Sequence, residues 1–284
     1  MSDQPNGVIH DIGYQRYDGP RLGRAYSARS LFTHGLRTAF GLGRSAKAKI
    51  FPWAVVGIMS VVALILTVAN SQGEDIAYAD FADGTVLLLI MFCAVVAPEL
   101  VSRDLRAGTL PLYFSRPITR ADYALAKLAA LAVAVWLPLA GGQLLMFTGA
   151  AFSVDHIGQV WDEVADLAPA LAYSAVYAAV FAALSLLIAS LAGRRAVAAG
   201  AIVAVFVVTT PIVGVLSAVA GETGRQLAFL ASPMTLVGGV GDWLFEPSGE
   251  MGVGDFGPLY GAVTVAFVAA CVTLLLVRYR RVAR

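Results

Sequence analysis

The chain has 284 residues, of which 58% are hydrophobic and only 14% charged, and its mean hydropathy is +0.75. This composition excludes a soluble globular domain of that length, and the formal net charge of +1 identifies no partner because it averages a basic and an acidic set of segments. The two cysteines, Cys93 and Cys271, both lie in apolar stretches, which excludes a disulfide framework and a cysteine metal site.

The first 50 residues are polar and basic rather than an apolar leader behind a short charged start, so the first span is predicted to act as its own insertion signal. Residues 1–26 are rich in Gly, Arg, Tyr and Asp without a sustained period and read as a cytoplasmic N-terminal tail. Their stretch Tyr14 to Arg24 has the texture of a docking segment and equally that of a tail lying near anionic headgroups. Over residues 27–50 the pattern changes. Leu31, Phe32, Leu36, Ala39, Phe40 and Leu42 recur at helical spacing, with Arg29, Thr33, Arg37 and Arg44 on the opposite face, which predicts an interfacial amphipathic helix leading into Pro52.

Residues 51–284 are predicted to form an all-α domain of six membrane spans. A charged side chain costs about 2.5 to 3.5 kcal/mol at a helix centre, so apolar runs of about 20 residues mark the crossings. They fall at 51–69, 85–101, 121–151, 168–192, 196–220 and 258–277. Eight Lys and Arg precede the first span, five surround the connection between the second and third, two stand at Arg194 and Arg195, and four follow the last span. Only Arg225 lies in a loop on the other side, where thirteen acids collect, among them Asp80, Asp83, Glu163, Asp166 and Asp242. The positive-inside rule then places both termini in the cytoplasm of a multi-pass plasma-membrane protein.

The second span runs into Pro98 to Asp122, PELVSRDLRAGTLPLYFSRPITRAD. Glu99 stands four residues before Arg103, the favourable order for a helical ion pair. Asp104 and Arg106 carry the helix toward water, and Gly108 with Pro111 limits it. After Pro117, Thr119 and Asp122 fit a capping box that starts the third span. The expectation is a short, rigid, charged hairpin at 102–120. The connection at 221–257 is long and apolar, with Leu227 to Leu230, Pro233 to Val237 and Trp243 to Phe245, and is predicted to hold short helices or a re-entrant element on the outer face rather than plain coil.

No ionisable residue occupies a span centre, where proton relays and ion sites would place one. Gln143, Thr148, Thr209 and Thr210 are the polar candidates there, with Pro138 and Pro211 as kink sites, although a threonine in a membrane helix also bonds its own backbone. Of these, Gln143, Thr209 and Thr210 are the candidates for a substrate path. His10, His34 and His156 are scattered, so no metal-ligand spacing emerges. Gly252-x-Gly254-x-x-Gly257 follows no strand and does not read as a dinucleotide loop, and no GxxxxGK[ST] occurs. No cofactor is expected in this chain, and ATP, if it drives the protein, must be hydrolysed by another polypeptide.

The stretch from Pro98 to Leu128 resembles the segment between the second and third spans of ABC-2 type transporter permeases. The likeness rests on Glu99, Arg103-Asp104, Gly108-Thr109-Leu110, Ser115-Arg116-Pro117 and Tyr123 to Lys127, and with the six spans it covers residues 27–284. It implies a permease of an ATP-binding cassette exporter, paired with a second six-span permease and two cytoplasmic ATPase subunits that bind ATP and Mg2+. It further implies that the hairpin is a coupling helix seated on the ATPase through Arg103, Asp104, Arg106, Gly108, Thr109 and Leu110. Glu99 would pass the movement into the second span, and the helix before the first span would be the connecting helix. In that family the translocation surface lies on spans 2 and 5 across a dimer axis. A membrane anchor or regulatory subunit of an ATPase complex, without transport of its own, is the alternative. An intramembrane enzyme would need a nucleophile with a base, or a metal set, at membrane depth, and the sequence shows neither.

Overall fold

The computed structural model describes residues 19, 22–74, 76–102, 104, 108, 113, 118–153, 156–245 and 252–282. Among these every regular element is helical: α1 (Arg24–Ala39), α2 (Ala46–Ser71), α3 (Tyr78–Gly84), α4 (Val86–Leu100), α5 (Arg120–Ser153), α6 (Ile157–Leu191), α7 (Arg195–Val219), α8 (Glu222–Ala228), α9 (Pro233–Phe245) and α10 (Gly257–Val282). Five of them, α2, α5, α6, α7 and α10, are long and apolar enough to cross a membrane, and α3 with α4, bent by 54°, makes the count six if the pair is one span. The six predicted spans thus correspond to five such helices and one bent pair.

Packing between membrane helices gains little from the hydrophobic effect, so close approach through small residues carries it. Helix α5 is the hub. A Cβ on Gly35 of α1 would stand 2.8 Å from the Ala130 Cβ, one on Gly142 would stand 2.1 Å from the Phe81 ring of α3, and one on Gly149 would stand 2.0 Å from Thr67 of α2. On another side, Trp136 donates its indole N–H to the Leu171 carbonyl of α6 at 3.1 Å. At 34 and 35 residues, α5 and α6 are about 50 Å long and overrun an apolar layer of about 30 Å.

Three expectations about elements change. The helix predicted over 27–50 begins at Arg24 and stops at Ala39, because Gly41 takes φ +66° with a Cβ there meeting the Ala48 carbonyl oxygen at 2.5 Å, and Gly43 takes φ +78°. Lys47 and Lys49 therefore belong to the start of α2. The apolar face of α1 is not left to lipid: Leu31, Gly35 and Ala39 are buried and pack on α5 and α4. Phe40 sits 6.2 Å from the Trp53 ring and 6.0 Å from that of Phe92. The fourth crossing starts at Ile157 instead of 168, so Asp162, Glu163 and Asp166 ride on a helix rather than in a loop. The second crossing breaks at Thr85, whose hydroxyl donates to the Phe81 carbonyl at 2.7 Å, leaving α3 folded across the end of the bundle.

The connection at 221–257 holds α8, α9 and two 3-10 turns, in line with the short elements expected there. Helix α9 wedges in through bare backbone, since a Cβ on Gly239 would lie 2.4 Å from Tyr260 of α10 and one on Gly241 would lie 2.5 Å from the Tyr173 hydroxyl of α6. Gly252 and Gly254 have positive φ ahead of the turn Gly254–Phe256, which accounts for the glycine pattern as backbone geometry.

Candidate functional site

One end of the bundle gathers the starts of α2, α5 and α7 with the ends of α4, α6 and α10, and its described acids are paired with cations from other elements. Glu99, 9% exposed, bridges two arginines. One oxygen meets Arg44 from the turn before α2, and the other lies 2.7 Å from Arg195 at the start of α7. The sequence pairs Glu99 with Arg103. The structure supplies Arg44 and Arg195, cations contributed by segments far away in the chain, and Arg103 lies outside the described residues. Two residues beyond α4, the Ser102 hydroxyl donates to the Ala189 carbonyl of α6 at 2.9 Å.

Asp104 turns inward. It lies 2.9 Å from Lys127, whose side chain is only 4% exposed, and accepts from the Tyr123 hydroxyl at 2.6 Å. Tyr123 is stacked between Tyr113 at 5.4 Å and Tyr279 at 5.3 Å, so the root of the hairpin is keyed to α5 and to the end of α10. The expected capping box is formed: Asp122 accepts from the Thr119 backbone N–H at 2.9 Å, and the Asp122 N–H donates to the Thr119 hydroxyl at 3.2 Å. Arg24 of α1 closes on the same carboxylate at 2.6 and 2.7 Å. That neighbour raises the Arg24 pKa further above a value that already keeps it charged, so the contact adds no pH dependence near neutrality. Arg120 donates to the Arg280 carbonyl at 2.9 Å.

Of the residues assigned to coupling, Glu99, expected to transmit the movement, and Asp104, expected to meet the ATPase, are thus engaged within the chain. Gly108 is exposed with φ +62°, the left-handed turn expected where a helix ends. Arg106, Thr109 and Leu110 lie outside the described residues.

The opposite end holds a cavity of about 670 Å³. Its wall includes Asp80 and Asp83 of α3, Glu163 and Asp166 of α6, and Asp242 of α9, with no lysine or arginine among its lining residues. Tyrosines rather than cations satisfy two of these acids, Asp83 and Glu163. Tyr177 and Tyr173 both donate to Asp83, the latter at 2.9 Å, and Tyr78 donates to Glu163. The Asp242 carboxylate accepts from the Val253 N–H at 3.0 Å. An anion entering here would meet uncompensated negative charge, whereas neutral and cationic groups would not. No set of three or more His, Cys, Asp or Glu side chains among the described residues is arranged to hold a metal ion.

The sequence read these acids as loop charges and missed the tyrosines that organise them. The available signal was Tyr173 and Tyr177, four apart on one helical face. Gln143 lies under the cavity rather than in its wall. Fully buried, it donates to the Tyr78 and Ala170 carbonyls at 3.0 and 3.4 Å and accepts from the Ser174 hydroxyl at 3.0 Å. Thr209 and Thr210 of α7 also lie outside that wall. Thr209 bonds the Val205 carbonyl at 2.8 Å and pairs with the Ser232 hydroxyl at 2.9 Å. Thr210 donates to the Phe206 carbonyl at 3.2 Å. Thr148 bonds its own helix at the Leu145 carbonyl, 2.8 Å away.

The family model described as ABC-2 family transporter protein matches residues 41–240, well over half of the chain. No curated protein matches it.

Proposed function

The chain belongs to the ABC-2 family of transporter membrane proteins, and from that premise we propose that it is the permease subunit of an ATP-binding cassette exporter. In this reading it moves a hydrophobic or amphipathic substrate. Energy comes from two separate cytoplasmic ATPase subunits that bind ATP and Mg2+, and a second six-span permease completes the pathway. Both termini and the 102–120 hairpin face the cytoplasm of the plasma membrane, where the Lys and Arg residues collect.

The observation that supports the reading best is the fastening of the hairpin's two roots. Asp104 is tied to Lys127 and Tyr123, and Asp122 to Thr119 and Arg24, so a push on the hairpin reaches α1, α5 and α10 instead of being lost in a loose loop. Arg103, Arg106, Thr109 and Leu110 are the residues proposed to meet the ATPase. Glu99 hands the movement to the second span. Thr209 and Thr210, on the fifth span, remain candidates for the substrate path, whereas Gln143 acts through the shape of the cavity floor.

Purification of the tagged chain from its native membranes tests this. The expected result is an ABC ATPase retained with the permease, and its release by Arg106→Glu with the permease still folded. Solute flux through liposomes holding this chain alone, with no ATPase, would sink the reading. An ATPase retained by the chain without any transport would favour the anchor alternative.

A further inference from the structure

Glu99 meets two arginines, and each stands beside a glycine-containing reversal of the chain. Arg44 follows Gly43 in the turn between α1 and α2, and Arg195 follows Gly193 in the turn between α6 and α7. Those turns are the joints of this end of the bundle, and neither has a long element of its own to hold it. The carboxylate divides its oxygens between them, Oε1 to Arg44 and Oε2 to Arg195. A second contact fastens the same neighbourhood, because Ser102 holds the Ala189 carbonyl just ahead of the α6–α7 turn.

We propose that Arg44, Glu99 and Arg195 form a clamp that makes the turn before the first span, the end of the second span and the start of the fifth move as one block. The inference rests on the coupling role proposed for the hairpin, and it adds that the fifth span is driven directly through Arg195 instead of only following the second by packing. Arg44, Arg195 and Glu99 are positioning residues here.

The charge arithmetic explains why the clamp is sensitive at its centre. Removing one arginine leaves the acid a partner, whereas removing the charge of Glu99 leaves two cations with nothing between them to hold them together. The side chains of Arg44 and Arg195 are 30% and 56% exposed, so they can turn to water when the acid is lost. The block should then come apart without the chain unfolding.

The test measures the distance between nitroxide labels at Ser45→Cys and Gly193→Cys by electron paramagnetic resonance, in lipid nanodiscs and in a Cys93→Ala/Cys271→Ala background. The clamp predicts one narrow distance in the parent and its loss to a broad spread with Glu99→Gln. The charge reversal Arg195→Glu should broaden it in the same way, and reversing all three charges, Arg44→Glu and Arg195→Glu with Glu99→Arg, should restore the narrow distance. An unchanged distribution in Glu99→Gln, or no recovery in the triple reversal when the variants remain monodisperse, would overturn the proposal. These distances are read on the permease alone. The coupling role is tested separately, by whether Arg106→Glu releases the co-purified ATPase. A narrow parent distance with an ATPase that Arg106→Glu fails to release would count against the coupling role while the clamp stood.

Discussion

The two ends of this bundle handle charge in opposite ways. At the basic end each described acid is matched by a cation from another element, as with Glu99 and Arg44, Asp104 and Lys127, or Asp122 and Arg24. At the acidic end Asp83 and Glu163 meet tyrosine hydroxyls, and the charge faces a cavity. Ion pairs between elements fix their relative positions. Tyrosine hydrogen bonds hold a carboxylate in place while leaving its charge uncancelled. One end is therefore built to carry displacement between helices, and the other to present a polar chamber between them.

The largest effect that would sharpen this contrast is at Asp104. Its replacement by alanine leaves Lys127 buried without its counter-charge, a loss of about 3 to 5 kcal/mol where the partner cannot reach water. Unfolding followed through reaction of the buried thiols of Cys93 and Cys271 should shift to markedly lower temperature. Asp104→Leu with Lys127→Met should recover most of that loss, because it removes both charges. A double variant no more stable than Asp104→Ala would show that the pair does not act as a unit.

Next in size is Gly142→Ala. Its Cβ would stand 2.1 Å from the Phe81 ring, so α3 must shift away from α5, at a cost of about 1 to 3 kcal/mol for overpacking. Because α3 forms part of the cavity wall and not of the basic end, the labels at Ser45→Cys and Gly193→Cys should keep their distance in this variant. Movement of those labels would mean that the two ends are not mechanically separate.

How much of this was legible beforehand follows from which interactions are local. The crossings are visible because each is an apolar run, and the Thr119 to Asp122 cap is visible because its partners are three residues apart. The contacts of Glu99 with Arg44 and Arg195 were not, since both cations stand far away in the chain and only the folded bundle brings them near. The bend at Thr85 and the close approach of Phe81 to Gly142 depend on what α5 presents, which no local pattern records. The polar floor was misjudged in the same way. Gln143 reads as a lone polar residue in a span, and its three partners, Tyr78, Ala170 and Ser174, come from α3 and α6.

Smaller again is Asp83→Asn. Tyr173 and Tyr177 both donate to the same oxygen, Oδ1, which the amide oxygen replaces, so both bonds stay and lose only the charge on their acceptor, at about 1 kcal/mol. The thiol-exposure temperature should fall by less than in Asp104→Ala. A loss as large as that of the buried ion pair would mean that Asp83 is a structural keystone and not a chamber wall.

The smallest effect belongs to Arg24→Gln, and it separates exposed from buried ion pairs within the basic end itself. The Arg24 side chain is 62% exposed, and its partner Asp122 keeps the cap bonds to Thr119 when the cation is gone. Solvent and salt screen such a pair, so the unfolding temperature should stay within experimental scatter of the parent. What should change is local: hydrogen exchange in the first turn of α1 quickens, while residues around Leu31 and Ala39, buried against α5 and α4, keep their protection. If Arg24→Gln lowers the unfolding temperature as far as Asp104→Ala, exposure is not what ranks these pairs. The basic end would then be a single cooperative girdle rather than a buried core of ties with a frayed edge.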